Sequence, residues 1–188
     1  MNIAILLFED FETLDVFGPV EIFGRLQELY SIEFYSQTGG SITNRHGVRI
    51  LTEKLEGTPL TPEIFLVPGG IGTRHEVNNK ELIRLIRKTS ETSRYVLTVC
   101  TGSALLARTG LLDGRHATTN KRSFAWASGN GPHVLWNKTA RWIVDGKYYT
   151  SSCVSAGMDM SLGFLADRHG VDFARRVASE IEYRWIED

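Results

Sequence analysis

Short apolar runs rich in β-branched and aromatic residues alternate along this chain with longer stretches in which apolar positions recur at helical spacing. That alternation is the pattern of a parallel sheet covered by helices on both faces. Ile3 to Phe8 reads as a first strand, and Asp15 to Leu29 as a helix with Val16, Val20, Phe23 and Leu26 on one face. Ile32 to Ser36 and Ile64 to Val67 read as further strands, the latter closed by Pro68-Gly69-Gly70. Asn79 to Thr92 is an amphipathic helix with Leu82, Ile83 and Ile86 inward, and Tyr95 to Val99 is a central strand. A helix after Cys100 stops near Gly110, and Ala117 to Thr119 forms another short strand. Arg141 to Thr150 reads as a hairpin turning at Asp145-Gly146. Two helices close the chain, Val154 to Arg168 and Val171 to Trp185, separated at His169-Gly170. The least regular stretch, Ser123 to Asn137, is either a lid or packing over a core edge.

The run Tyr95-Val96-Leu97-Thr98-Val99-Cys100-Thr101-Gly102-Ser103 puts a thiol where a strand ends and a helix begins. A sharp turn there pushes the side chain out at the carboxyl edge of the sheet, and free N–H groups of the next helix favour its thiolate. The geometry is that of a nucleophile elbow with cysteine in place of serine, Gly102 allowing close strand–helix packing. The competing reading is a small buried hydrophobe at the end of a core strand.

At 188 residues the chain is expected to form one domain. Its net charge of −1, with both signs interspersed, offers no basic stripe for nucleic acid and no lysine-rich helix for a membrane surface. Lys121-Arg122 and Arg175-Arg176 read as solvated surface. Two cysteines outside any framework or metal-ligand spacing point to a reducing compartment, and the cytoplasm is the expected location. Neither a membrane span nor a signal segment is legible. The spacing of Gly69, Gly70 and Gly72 lacks the dinucleotide-binding register, and neither a cofactor nor a metal is expected.

Five segments taken in order carry a resemblance: Leu14-Asp15-Val16-Phe17-Gly18-Pro19, Val67-Pro68-Gly69-Gly70-Ile71-Gly72, Val99-Cys100-Thr101-Gly102-Ser103, Ala117-Thr118-Thr119 and Ser155-Ala156-Gly157-Met158-Asp159. Together they make the chain similar to the ThiJ/PfpI superfamily, related to class I glutamine amidotransferases, over nearly its whole length. The resemblance is strongest to the isocyanide hydratase branch and to the amidotransferase-like sensor domains of AraC-type regulators. It implies a flavodoxin-like three-layer α/β sandwich with a mostly parallel sheet, and a homodimer. The protease-like branch carries histidine after the nucleophile where this chain has Thr101, so a protease triad is not expected. None of His46, His75, His116, His133 and His169 adjoins the cysteine. Related hydratases often carry histidine where this chain has Asn120.

The resemblance supplies Asp15 as proton carrier for Cys100, against the plain alternative of a helix N-terminal aspartate. It gives Gly70 and Thr101, and less directly Gly69, as oxyanion donors and places Asn120 among the substrate contacts, whereas a glycine pair after a strand is also an ordinary turn. Cys153 is either a resolving thiol for an oxidised Cys100 or an inert core cysteine. Asp159 is expected to be structural and paired with an arginine, and Phe124, Trp126 and Trp136 to wall a pocket or to pack. The expected activity is thiolate attack on a small electrophilic carbon, most concretely isocyanide hydration to an N-substituted formamide. Glyoxals or glycated adducts are alternative substrates, and a non-catalytic effector or oxidation sensor is the alternative class. Regulators of the similar type continue into a helix-turn-helix whereas this sequence ends at Asp188, so a transcription factor is not expected; the expected partner is a small-molecule substrate.

Overall fold

Eight strands form one mixed sheet in the computed structural model, which describes residues 1–187. In chain order the elements are β1 (Asn2–Leu6), α1 (Thr13–Gly24), β2 (Ser31–Ser36), β3 (Gly40–Thr43), β4 (Arg49–Lys54), β5 (Ile64–Val67), α2 (Thr73–Glu76), α3 (Lys80–Thr92) and β6 (Tyr95–Val99). There follow α4 (Gly102–Arg108), β7 (His116–Ala117), α5 (Phe124–Gly129), β8 (Leu135–Trp136), β9 (Trp142–Asp145), β10 (Tyr148–Ser151), α6 (Ala156–His169) and α7 (Val171–Glu180). The sheet order is β3-β4-β2-β1-β5-β6-β10-β9, and β7 pairs with β8 apart from it.

The strands from β4 through β10 pair in parallel, and antiparallel β3 and β9 form the two edges. β5 and β6 are buried at every position, which is why they read as uninterrupted apolar runs. From β1 the chain crosses through α1 to β2 on one side, and from β5 through α3 to β6 on the other. Right-handed crossovers running in opposite directions put those two helices on opposite faces. Accordingly α1 packs with α6 and α6 with α7, while α4 packs with α2, α3 and α5. The order reverses between β1 and β5, and the crevice beyond the carboxyl ends of such strands is where ligands of open α/β sheets bind.

Local chemistry fixes the ends of these elements. The Asn79 side chain accepts the Leu82 N–H at 3.1 Å and caps α3, whose Leu82, Leu85 and Ile86 are buried. The β9–β10 turn lies one residue further on than the sequence indicates: Asp145 pairs with Tyr148, leaving Gly146, at φ +61°, and Lys147 as the loop. α1 begins at Thr13 and ends at Gly24, earlier at both ends than its apolar spacing indicates, so Asp15 stands inside the first turn. α7 ends at Glu180, and Tyr183, Trp185 and Ile186 instead bond to Asp159. The β3–β4 hairpin leaves no signal in the sequence, because most of its positions are exposed and it lacks an apolar run. Among the described residues no helix is long and apolar enough to cross a membrane.

Candidate active site

Cys100 follows β6 directly and has φ +57°, a conformation that L residues adopt at a cost of about 1–3 kcal/mol when the surroundings hold them there. Three hydrogen bonds hold it. Its N–H donates to the Ser151 carbonyl at 3.0 Å, and its own carbonyl accepts from Ser103 Oγ at 3.0 Å and Thr119 Oγ1 at 3.1 Å. Gly102 is required for the turn, since a Cβ there would lie 2.2 Å from the Val67 carbonyl oxygen. The elbow read from the sequence is therefore present, and it is braced from three directions.

The sulfur has three polar neighbours. Asn120 Nδ2 donates to Sγ at 3.1 Å, its orientation set by its Oδ1 accepting the Ser123 N–H at 2.9 Å. The Thr101 N–H also faces the sulfur, and the third neighbour is Asp15. Asp15 is no helix cap: it is fully buried, and its Oδ2 accepts the Gly69 N–H at 2.9 Å. Its Oδ1 is buried with no hydrogen-bond partner among the described residues.

Burial pushes the Asp15 carboxyl up to about 8, helped by the charge of Glu12 and opposed by the Gly69 N–H and the thiol. Burial also pushes the Cys100 thiol up, and an ionised Asp15 adds to this, against the pull of the Thr101 N–H and Asn120. The expectation of a lowered thiol pKa is thus corrected. The sulfur is buried beside an acid, and these two effects outweigh the neighbouring N–H groups. The two acids are in contact and titrate as a pair.

The glycine expectations are also corrected. The Gly69 N–H is committed to Asp15, and a Cβ at Gly69 would meet the Thr101 nitrogen at 2.6 Å and Asp15 Oδ2 at 2.8 Å. Gly69 therefore holds the acid and lets three segments approach closely. The Gly70 N–H, at φ +134°, donates to Thr101 Oγ1 at 3.1 Å, and Thr73 Oγ1 donates to the same oxygen at 3.0 Å. Both glycine N–H groups are engaged within the protein, so of the expected oxyanion donors only the Thr101 N–H is aimed at the Cys100 sulfur.

These groups open onto a cavity of about 540 Å³ lined by Gly70, Cys100, Thr101, Asn120 and Cys153 together with Glu12, Arg45, Ile71, Arg74, Arg122, Ser123 and Val154. Cys153 is half-buried on this wall and both cysteines are free thiols, which corrects the core-packing alternative. Arg122 lines the cavity rather than serving only as solvated surface, and no histidine lines it. The aromatic residues play supporting parts: Trp126 lies beneath the Arg74 guanidinium, Phe124 packs edge-on to Trp136, and Trp136 Nε1 donates to the Gly131 carbonyl at 2.9 Å. Glu12, Arg45, Arg74 and Ser123 had no signal in the sequence, being single polar residues at separate places along the chain. Among the described residues no three His, Cys, Asp or Glu side chains converge as metal ligands do.

Over 184 residues the chain is 29% identical to the isonitrile hydratase of Pseudomonas putida, an alignment covering 97% of this chain and 78% of that protein. It is 28% identical over 192 residues to the HTH-type transcriptional regulator GbdR of Pseudomonas aeruginosa, covering 98% of this chain and 51% of the regulator. Among solved structures, a ThiJ/PfpI family protein from Pseudomonas syringae superposes with a TM-score of 0.87 at 26% identity, over 97% of this chain and 74% of that one. The DJ-1/PfpI family model matches residues 1–167, and with the mostly parallel sheet and the braced cysteine elbow in view the conclusion is plain: the chain belongs to the DJ-1/PfpI family.

Proposed function

We propose that this protein is a cysteine-nucleophile hydratase that converts an isocyanide to an N-substituted formamide. The observation that carries the reading is the pairing of a strained, buried thiol with a carboxyl raised to about 8 and not bound to any cation. Such a carboxyl exchanges a proton readily in either direction near neutral pH, the property a general acid–base partner needs.

In the first step the Cys100 sulfur bonds to the isocyanide carbon while the thiol proton passes to the Asp15 carboxylate. Asp15 then delivers that proton to the same carbon, giving a thioimidate in which carbon is bonded to hydrogen, sulfur and nitrogen. Water adds across the C=N bond, its proton going to nitrogen. The C–S bond breaks, its electron pair returns to sulfur with the hydroxyl proton, and the formamide leaves. Asn120 Nδ2 and the Thr101 N–H stabilise negative charge on sulfur at the start and at the end of the cycle. The reaction begins from ionised Asp15, so turnover rises with pH and levels off above about 8.

The similarity to an isonitrile hydratase supports this choice of substrate. The test is formation of the formyl proton signal by NMR from a simple alkyl isocyanide, with Cys100→Ser as control. Formamide from the parent protein and none from the variant is the expected result. Consumption of glyoxals but not isocyanides would move the assignment to the alternative substrates.

A further inference from the structure

The wall of the cavity facing the thiol is cationic, although the chain as a whole carries a net charge of −1. Arg45 comes from the β3–β4 turn, Arg74 from α2 and Arg122 from the segment before α5, and all three line the space that holds Cys100. Of the other arginines, Arg25, Arg84, Arg87, Arg115, Arg141 and Arg175 each pair with a carboxylate, whereas Arg49, Arg94, Arg108, Arg168, Arg176 and Arg184 form no ion pair among the described residues. Among the described residues no ion pair involves the three cavity arginines, and the one carboxylate on the wall, Glu12, is bonded to none of them.

One of the three is fixed in place. The Arg74 guanidinium stacks 3.6 Å from the centroid of the Trp126 ring, and its Nη2 donates to Ser123 Oγ at 3.0 Å. Ser123 in turn gives its N–H to Asn120 Oδ1, and Asn120 gives Nδ2 to the Cys100 sulfur. A continuous chain of polar contacts therefore links the anchored guanidinium to the reacting atom. A planar fork of donors held flat on an aromatic ring is the arrangement that receives a carboxylate with little loss of side-chain freedom.

We infer that the substrate carries a carboxylate, received by Arg45, Arg74 and Arg122 while its electrophilic carbon reaches Cys100. This rests on the reading of Cys100 as a nucleophile and narrows its substrate class to acidic molecules, such as an isocyanide bearing a carboxylate. A neutral alkyl isocyanide is then a slow substrate, and its carboxylated analogue a better one.

The test compares two alkylating reagents of similar size, iodoacetate and iodoacetamide, on the Cys153→Ser protein so that one thiol reports. Sulfur displaces iodide from both, so the probes differ chiefly in the carboxylate. The ratio of the two rates is divided by the same ratio for glutathione in the same buffer. A normalised ratio of ten or more is expected, falling towards one with added sodium chloride and in Arg45→Gln, Arg74→Gln and Arg122→Gln. A normalised ratio at or below one in the parent protein at low salt would overturn the inference while leaving the nucleophile intact. Resistance of Cys100 to both reagents would overturn the nucleophile reading and the inference with it. The salt series needs no arginine variant, so it decides the matter even where a variant fails to fold.

Discussion

Among the described residues two aspartates are fully buried, and they are held in opposite ways. Asp159, on α6, accepts from Arg141 Nε at 2.6 Å, the Tyr183 hydroxyl at 3.0 Å and the Ile186 N–H at 2.9 Å. Asp15, on α1, has one N–H, one thiol and an oxygen with no hydrogen bond. The first carboxylate ties the segment after α7 and the start of the β9 hairpin to α6, so its charge is used for structure. The second has no cation, so burial turns it into a weak acid with a value of about 8. A buried acid without a cation costs stability when it ionises, and that ionisation is what a neighbouring thiol needs.

The strongest way to break this comparison is to remove the carboxylate of each acid in turn. Asp15→Asn keeps the shape and lets the amide oxygen still accept from Gly69, but removes the proton relay. Turnover measured under saturating substrate should fall by about 10²–10⁴, while the thermal midpoint holds or rises. Asp159→Ala should behave oppositely. Removing one member of a buried ion pair costs about 3–5 kcal/mol, a fall in Tm on the order of 10 °C for a chain of this size, with the turnover of the folded fraction within a few-fold of the parent. Loss of activity without loss of stability in both variants, or the reverse in both, would erase the distinction.

A pH series sharpens it. Folded Asp15 keeps its proton up to about 8, whereas an unfolded one loses it near 3.8. Between those values the native state binds the extra proton, so the stabilising contribution is fully present below 3.8 and is lost as pH rises through about 8. Chemical denaturation at pH 6 and pH 8 should show the parent losing about 2 kcal/mol more than Asp15→Asn over that interval. Activity runs the other way and climbs across the same range. The smallest effect is expected at Asn120→Ala, which removes one donor to sulfur and should lower kcat/KM about tenfold.

The sequence pattern reached β6 and its neighbour β5 without error, because both are buried at every position and need no outside information to be recognised. The elbow was legible for the same reason: Cys100 and Gly102 interrupt an apolar run at the point where the chain must turn. Directions were not legible. A glycine pair after a strand marks an unusual turn, but only the packing of β5 against α1 and α4 decides that the Gly69 N–H points at Asp15. Nor does a local pattern tell whether burial or nearby N–H groups will govern a thiol, since that balance depends on Asp15, 85 residues earlier in the chain. The cationic wall was hidden for a related reason. Arg45, Arg74 and Arg122 are separate surface-type residues until the fold gathers the β3–β4 turn, α2 and the segment before α5 around one cavity.

The measurement that bears most directly on the thiol–carboxyl pair is the pH dependence of Cys100 alkylation by iodoacetamide, recorded in Cys153→Ser with and without Asp15→Asn. With Asp15 present the rate should climb with pH and bend near 8, and in the Asp15→Asn protein that bend should vanish, the climb continuing to higher pH because burial still holds the thiol up. Superimposable profiles from the two proteins would show that Asp15 does not share its proton with the thiol, and would contradict the proposed catalytic pair.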